Sequence, residues 1–274
     1  MVVKIAFCFL LYDTIEHMCL WEHFFCQADP NMYSLYAHFK TVNSKSPKWL
    51  TKHKVKSIKT GWCGEGLINA FSKMITEGMK DYDNKYFCLI SGTDIPLYKF
   101  PKTYELITNM KKSRISYSAP GNIFEGEGVL RSGHQWVILK RKEANIYKRL
   151  SDPTDKKAKM FIKNLRNLYK YCGAKISKGD VILLDRNGCW IGGCPDEVYP
   201  INWFIFLYGL KKTQSMIDNK MSTYTHWDYS ISDDHPTILD LKNTTKMKNK
   251  ILKSGTVFAR KFKPDAANFI SLNN

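Results

Sequence analysis

The segment that decides the fold reads Tyr86-Phe-Cys-Leu-Ile-Ser-Gly-Thr-Asp-Ile-Pro-Leu97. Its first half is an apolar run, which is typical of a strand buried on both faces of a sheet. The run breaks at Ser91-Gly-Thr93, Asp94 follows directly, and Pro96 is expected to stop further pairing. Ligands of open α/β sheets bind beyond the carboxyl ends of the strands, so we expect a site here. Asp94 is either part of that site or an ordinary turn or helix-capping aspartate.

The composition predicts a globular protein with a basic surface. Of the 274 residues, 44% are hydrophobic and 24% are charged, and the net charge is +17. A positive surface attracts polyanions, phosphorylated ligands or acidic surfaces, and charge alone does not choose among them. The short apolar N-terminus contains Lys4 and has no small-residue cleavage site, so we expect no signal peptide. Every apolar run is shorter than the ~20 residues that a membrane span requires.

The eight cysteines are scattered along the chain. Cys8 and Cys88 lie in apolar runs and are expected to be core thiols. Cys189 and Cys194 flank a glycine-rich turn and would suit a zinc ion, but no second pair has a matching spacing, which disfavours a zinc site. Without an export signal, we expect a reducing compartment and free thiols.

Strand and helix patterns alternate along the whole chain, with neither repeats nor a linker. The expected strands beside the opening segment lie at 2–11, 33–38, 54–58, 114–118, 134–139, 180–184, 222–227 and 256–259. The expected helices lie at 15–25, 67–79, 104–110, 140–150, 156–171, 196–207, 239–252 and 264–272. Asp13 and Glu16 stand at the spacing of a capping box before the first helix. This order predicts one α/β domain over residues 1–274.

Two carboxylates follow the glycine turn Trp190-Ile-Gly-Gly193. The segment Cys194-Pro-Asp-Glu197 places Asp196 and Glu197 in the first turn of a helix, where the helix N-terminus stabilises negative charge. A carboxylate kept ionised there is able to act as a base. The alternative is that Asp196 caps the helix and Glu197 fills the capping turn.

Two further segments combine residue types that suit sugar-nucleotide chemistry. Phe258-Ala-Arg-Lys-Phe262 ends a short strand with two cations, just before a helix that starts at Pro264, which suits a diphosphate. The alternative is an ordinary solvated pair. Gly133-His-Gln-Trp136 places a broad aromatic face at a strand start, which suits a sugar ring, and core packing is the alternative.

Three acidic clusters have the residue types of metal ligands. Asp81-Tyr-Asp83 precedes its strand, whereas ligand-facing acids should follow one, so we expect a surface turn. His226-Trp-Asp228 and Asp233-Asp-His235 lie in polar segments and are weak candidates. The chain contains no glycine-rich phosphate loop, no His-Glu-x-x-His and no Gly-x-Ser-x-Gly.

Taken together, these segments resemble the core-2/I-branching β-1,6-N-acetylglucosaminyltransferase family, which also includes peptide O-xylosyltransferases and plant relatives. The segments that match the family's motifs in order are the opening strand with Trp21-Glu-His-Phe-Phe25, Tyr33–His38, Gly61-Trp62, Leu89–Leu97, Gly133–Trp136, Pro195–Glu197, Trp227 with His235-Pro236, and Phe258–Phe262. The resemblance implies a GT-A-like (Rossmann-like) fold, with a mixed sheet flanked by helices in a single domain.

The resemblance also implies an inverting, metal-independent transfer from a UDP-sugar to an acceptor hydroxyl of a glycan or glycoprotein, forming a β-linkage. The sugar would be N-acetylglucosamine or xylose, and no cofactor is implied. Glu197 would be the base, while Arg260, Lys261 and Lys220 would bind the donor diphosphate. The other implied contacts are His38 and Asp94 for the nucleotide donor, and Trp136, Gln135 and Asp196 for the acceptor. His38 stands where animal members of the family have an aspartate, and Lys220 falls near a family arginine, so both depart from the pattern.

Two alternative functions stay open at this point. The basic helix at 156–171 and the lysines of 242–253 suit an inactive protein that binds polyanions, although no nucleic-acid-binding motif is present. The Asp233 cluster would instead suit a metal-dependent hydrolase. The family's animal members carry a membrane anchor that this sequence lacks, so we expect a cytoplasmic enzyme of a large DNA virus or a microbe.

Overall fold

The computed structural model describes residues 3–118, 130–171, 175–177, 180–182, 194–228, 230 and 236–272. The strands are β1 (Lys4–Leu11), β2 (Tyr33–Phe39), β3 (Asn84–Ser91), β4 (Ile95–Pro96), β5 (Ser113–Tyr117), β6 (Gly133–Lys140), β7 (Lys175–Ser177), β8 (Asp180–Ile182), β9 (Ile217–Asp218), β10 (Thr223–Thr225) and β11 (Phe258–Arg260). The helices are α1 (Met18–Cys26), α2 (Lys48–Thr51), α3 (Glu65–Gly78), α4 (Phe100–Thr108), α5 (Arg141–Tyr147), α6 (Lys156–Tyr171), α7 (Pro195–Met216), α8 (Leu241–Lys253) and α9 (Pro264–Leu272).

The main sheet has six strands in the order β2-β1-β3-β6-β5-β9. Strand β1 pairs in parallel with β2 and β3, β6 runs antiparallel to β3 and β5, and β5 is parallel to β9. The carboxyl ends of β1, β2, β3, β5 and β9 therefore share one edge with the start of β6. We call this the carboxyl edge of the sheet.

The central strands form because their residues are apolar on both faces. Residues 5–9 of β1 and 87–88 of β3 are fully buried. On one face they pack against α3, α5 and α7, and on the other against α1 and α4. Phe7 contacts the rings of Phe24, Phe25 and Phe258 edge to face, at centroid distances of 5.8, 5.3 and 6.4 Å. Burying each such ring stabilises the fold by roughly 1.5–3 kcal/mol.

A second sheet of three strands, in the order β10-β11-β4, continues from the end of β3. Ile95 pairs with Ala259 and Pro96 with Phe258. The expectation that Pro96 stops pairing is therefore wrong. Proline cannot donate a hydrogen bond, but the N–H of the following residue, Leu97, donates to Val257 at 3.0 Å and continues the pairing. This pairing carries the end of β11 to the segment that contains Asp94.

Three local expectations are corrected by the structure. Instead of a strand at 54–58, Lys54 makes a single bridge to Ala37. The capping box of Asp13 and Glu16 does not form, because α1 begins later, at Met18, and Asp13 instead accepts a hydrogen bond from Asn43. The helix predicted at 196–207 continues to Met216, interrupted at Gly209, whose φ is 73°.

The predicted mixed sheet flanked by helices is confirmed, and the fold is consistent with a GT-A-like one. That residues 1–274 form one domain stays a prediction. Several predicted features lie outside the described residues: the loop at 119–127, the turn at 190–193, Cys189, residues 183–184 of a strand, and the acidic cluster at 233–235.

Candidate functional site

Two loops meet at the carboxyl edge of the sheet. The loop after β1 contacts the loop after β3, because the N–H of Glu16 donates to the carbonyl of Gly92 at 2.8 Å. A Cβ atom at Gly92 would lie 2.8 Å from the carbonyl oxygen of Thr14, so this close approach requires glycine. The Ser-Gly-Thr break in the sequence therefore lets two strand ends pack directly together.

Asp94 is fully buried at this meeting point. Its carboxylate accepts hydrogen bonds from the N–H of Ser91 at 2.8 Å and from the Ser91 hydroxyl at 3.0 Å. The indole N–H of Trp21 donates to its carbonyl at 2.9 Å. Burial raises the pKa of Asp94 to about 6, while Arg260 and Ser91 oppose the rise. Asp94 thus has the predicted role of a turn aspartate and also faces a cation.

That cation is Arg260, which is held by an anion and an aromatic ring. Its Nε lies 3.9 Å from Oδ1 of Asp94, and its guanidinium carbon lies 4.2 Å from the ring centroid of Trp136. Such a stacked arginine is stabilised by roughly 2 kcal/mol when desolvated. Trp136 is only 8% exposed, and Arg260 covers its ring. The predicted contact of Trp136 with an acceptor stays a prediction. In the structure, the ring of Trp136 packs against the guanidinium group of Arg260.

Lys261 adds a second positive charge beside Arg260. Burial lowers the pKa of Lys261, and the neighbouring charge of Arg260 lowers it further, while Glu16 opposes both effects. Burial also lowers the pKa of Arg260. Two partly desolvated cations repel each other, so an anion bound between them would stabilise both. The arrangement therefore suits a diphosphate.

Glu197 lies in the first turn of α7, where its Oε2 accepts a hydrogen bond from the N–H of Cys194 at 3.4 Å. This contact belongs to a capping box, so Glu197 fills the capping turn as the alternative predicts, but the N-cap residue is Cys194 and the expectation that Asp196 caps the helix is wrong. Burial raises the pKa of Glu197, and the Cys194 N–H opposes the rise. A raised pKa makes a carboxylate a stronger base, so capping and base catalysis are compatible.

The first turn of α7 lies against the start of β6. A Cβ atom at Gly133 would lie 3.2 Å from the carbonyl oxygen of Glu197 and 2.5 Å from that of Ser116. Trp136 follows on the same strand, ~10 Å further along. Strand β6 thus links the turn that carries Glu197 to Trp136, the residue on which Arg260 stacks.

Asp196 is 6% exposed, and its Oδ1 is buried with no hydrogen-bond partner among the described residues. Burial, together with the charge of Glu197, raises the pKa of Asp196 to about 8. The side chain is therefore mostly neutral at pH 7. The predicted contact of Asp196 with an acceptor stays a prediction.

Asp196→Asn is expected to make the protein more stable at neutral pH. The folded pKa lies above the unfolded value, so wild-type stability falls by about 1.4 kcal/mol per pH unit as the pH rises between these values. Asparagine imitates the neutral acid and removes this loss. Between pH 5 and pH 7, the advantage of the variant should grow by about 2–3 kcal/mol. Urea unfolding at several pH values measures it, and parallel pH profiles for the two proteins would contradict a buried, neutral Asp196.

A disulfide joins Cys63 to Cys194, the residue directly before α7. The expectation of free thiols is therefore wrong for this pair, and Cys194 cannot be half of a zinc pair with Cys189. Disulfides persist in oxidising surroundings, which weighs against the predicted reducing compartment. The two cysteines lie 131 residues apart, and no spacing in the sequence relates them.

A buried polar network reinforces the same junction. Glu65, in the first turn of α3, accepts hydrogen bonds from Arg166 of α6 and, at 2.9 Å, from the hydroxyl of Tyr199 of α7. Glu65 is 6% exposed, so these charge-assisted bonds are largely shielded from water. The disulfide and this network together fix the first turn of α7, and hence Glu197, against α3.

Cys63→Ser combined with Cys194→Ser is expected to lower the free energy of unfolding by about 2–4 kcal/mol, because the cross-link closes a long loop of the unfolded chain. Urea unfolding without reductant measures this loss. The matched control is Cys19→Ser with Cys26→Ser, since both thiols are free and exposed. A reductant should destabilise the control protein but not the first variant. Equal stability of both variants would contradict the cross-link.

Of the remaining predicted residues, His38 and Lys220 lie on or just beyond the outermost strands of the main sheet, and Gln135 lies on the inner strand β6. His38 is fully buried, and its Nε2 contacts the N–H and the carbonyl of Ile58 at 3.0 and 3.1 Å. Lys220 is exposed beyond β9, with its Nζ 3.9 Å from Asp218. Gln135 is half-buried beside Trp136. Since β2 and β9 are the outermost strands, five strand spacings or ~24 Å separate the ends that carry His38 and Lys220. Their nucleotide contacts stay predictions.

Sequence reasoning missed two members of this edge. The sequence predicts only a capping-box role for Glu16, yet its charge acts on both Arg260 and Lys261. His17 is 7% exposed, and its Nε2 has no hydrogen-bond partner in the described part of the chain. Their position directly after a buried strand was the signal that could have identified both.

Among the residues that the structure describes, no group of three or more histidine, cysteine, aspartate or glutamate side chains could hold a metal ion. The same residues include no helix with the length and apolar character to cross a bilayer.

Part of the chain matches a known enzyme family. Residues 5–126 match the family model of the Core-2/I-Branching enzymes. The predicted resemblance to this family is confirmed over that range, which includes His38 and Asp94 but not Trp136, Glu197, Arg260 or Lys261. The chain is also similar to glycosyltransferase BC10 of Oryza sativa subsp. japonica, at 22% identity over 158 residues.

That similarity covers 52% of this chain and 40% of the rice protein, so the chain spans less than half of its relative's length. The Core-2/I-Branching match and the relative's name support a glycosyltransferase.

Proposed function

We propose that the chain is an inverting glycosyltransferase that moves a sugar, N-acetylglucosamine or xylose, from a UDP-sugar to an acceptor hydroxyl without a metal ion. The observation that carries the proposal is the buried cluster of Asp94, Arg260 and Trp136 with Lys261 beside it. In this cluster, Arg260 is held by Asp94 and Trp136, and the neighbouring Lys261 adds a second positive charge.

In the proposed reaction, the acceptor oxygen attacks the anomeric carbon while the bond from that carbon to the UDP oxygen breaks. The hydroxyl proton passes to Glu197, and the bonding electrons leave with UDP. Arg260 and Lys261 stabilise the charge that develops on the leaving diphosphate. Attack opposite the leaving group inverts the anomeric centre and gives a β-linkage from an α-linked donor.

Transfer is expected to continue in EDTA, because Arg260 and Lys261 supply the positive charge that a metal would otherwise provide. The test measures release of UDP from UDP-N-acetylglucosamine and UDP-xylose with a panel of hydroxyl acceptors, with and without chelator. A rate in EDTA within about twofold of the untreated rate is expected. Activity that returns only when Mn²⁺ is added would contradict metal-free transfer, without excluding a glycosyltransferase.

The second candidate is a catalytically inactive protein that binds polyanions. The helix α8 favours it, because Leu241–Lys253 contains five lysines and no acidic residue. The two candidates differ in UDP binding. Calorimetry with UDP separates them, because an inactive polyanion-binding protein would not bind UDP. It would instead bind nucleic acid, and that binding would weaken strongly as the salt concentration rises.

A further inference from the structure

The three-stranded sheet β10-β11-β4 ends in a row of three polar side chains. Thr225 of β10 pairs in parallel with Arg260 of β11. On the other side of β11, Ile95 pairs with Ala259 in antiparallel orientation. The next pair in that register joins Asp94 to Arg260. Paired residues of neighbouring strands project from the same face of a sheet, with their backbones about 4.8 Å apart. Thr225 therefore lies on the same face as the ion pair of Arg260 and Asp94.

Three hydrogen-bond donors of this cluster are buried without a partner among the described residues: the hydroxyl of Thr225, Nε of Arg260 and Nε1 of Trp136. Thr225 and Trp136 are each 8% exposed. Nε of Arg260 lies 3.9 Å from Oδ1 of Asp94, which is too long for a hydrogen bond. The Asp94 carboxylate already accepts two hydrogen bonds from Ser91. Because an unpaired buried donor is unfavourable, these three donors together suit a ligand that carries several acceptor oxygens.

An unpaired hydroxyl does not by itself mark a site, as a second threonine of β10 shows. Thr223 is 1% exposed, and its Oγ1 is also unpaired within the described residues. Thr223 lies on the same face as Thr225 but two residues earlier, ~7 Å deeper along the strand. Its neighbour on β11 is the fully buried Phe258. Thr225 differs from it because its neighbour on β11 is a cation, Arg260.

We propose that Thr225 is a further donor-binding residue, whose hydroxyl donates a hydrogen bond to an oxygen of the leaving diphosphate beside Arg260. A hydroxyl donates one hydrogen bond and suits one phosphate oxygen, whereas a guanidinium presents several donors in a fork. The two side chains therefore complement each other. This inference rests on the proposed function, because it adds a residue to the same donor site.

The diphosphate is the part of a nucleotide-sugar that the charge of this row favours. Lys261 directly follows Arg260, so two cations stand against the one carboxylate of Asp94 and the cluster is positive. A hydrogen bond to an anionic oxygen is stronger than one to a neutral oxygen, such as a sugar hydroxyl. The Thr225 hydroxyl therefore gains most from a phosphate oxygen. As negative charge develops on the leaving diphosphate, the same hydrogen bond strengthens.

The test is Thr225→Val in the full chain, which replaces the hydroxyl by a methyl group and keeps a β-branched strand residue. Calorimetry with UDP is expected to show binding about 10–100-fold weaker than that of the wild type, the usual contribution of a hydrogen bond to a charged group. The melting temperature should equal or exceed that of the wild type, because valine removes a buried unpaired hydroxyl. Thr225→Ser keeps the hydroxyl and should retain the UDP affinity within about threefold.

The matched control is Thr223→Val, which makes the same change on the same face of β10, away from Arg260. It should keep the UDP affinity of the wild type within about twofold. If the wild type binds UDP and Thr225→Val binds it equally well, this inference is overturned and the proposed function stands. Equal losses of affinity in the two valine variants would also overturn the role of Thr225, because they would indicate a general effect on the strand. A wild type that does not bind UDP would overturn the proposed function, and this inference with it.

Discussion

Glu197→Gln is expected to lower kcat for sugar transfer by ~10²–10⁴-fold, the usual contribution of a general base. Glutamine keeps an oxygen that accepts the hydrogen bond from the Cys194 N–H, so the first turn of α7 should stay in place. It cannot take up the proton of the acceptor hydroxyl. The affinity for UDP should stay within about threefold, because the proposed diphosphate contacts come from Arg260 and Lys261. Initial rates and calorimetry with UDP measure the two quantities separately.

The matched control for this variant is Glu105→Gln on α4. Glu105 is exposed and pairs with Lys102 at 3.0 Å, and its half of α4 lies near the starts of β1 and β3, away from the carboxyl edge. Its activity should equal that of the wild type. Normal turnover by Glu197→Gln would show that Glu197 only caps its helix, and another residue would then have to accept the proton. An equal loss of kcat and UDP affinity would instead indicate a disturbed fold.

The fold was predictable where local sequence and burial agree. Strands β1 and β3 are apolar on both faces, and such short apolar runs predict strands buried on both sides of a sheet. Strand β4 was missed because its pairing depends on β11, which lies more than 150 residues further along the chain. A proline beside a turn predicts that strand pairing ends there. In this fold the N–H of the next residue, Leu97, donates to Val257 instead, and the local sequence does not reveal so distant a partner.

The candidate site was predictable in its location more than in its contacts. Asp94 was expected because it follows a buried strand, and its burial with Arg260 agrees with that position. The stacking of Arg260 on Trp136 joins residues from different sheets, so no local spacing could reveal it. The disulfide between Cys63 and Cys194 depends on the approach of two helix ends, and geometry rather than spacing decides such a pair.

Arg260→Gln is expected to affect both steps of the proposed reaction. Loss of a group that stabilises the leaving diphosphate typically lowers kcat by ~10²–10³-fold. UDP affinity should also fall, by roughly tenfold or more, because hydrogen bonds to charged groups contribute about 1.5–3 kcal/mol. Arg260→Lys should recover part of the UDP affinity and little of kcat, since an ammonium keeps the charge but neither stacks on Trp136 in the same way nor binds in a fork.

Removing Arg260 also leaves Asp94 buried without its cation, which tends to destabilise the fold. Activity is therefore compared well below each melting temperature, with Arg149→Gln as the matched control. Arg149 makes the same kinds of contact elsewhere, since it stacks over Trp203 at 5.5 Å and pairs with Asp155 at 2.7 Å. The control should lose stability but keep its transfer rate and UDP affinity. If Arg260→Gln behaves like Arg149→Gln, with only stability reduced, then Arg260 holds β11 in place and does not bind the donor.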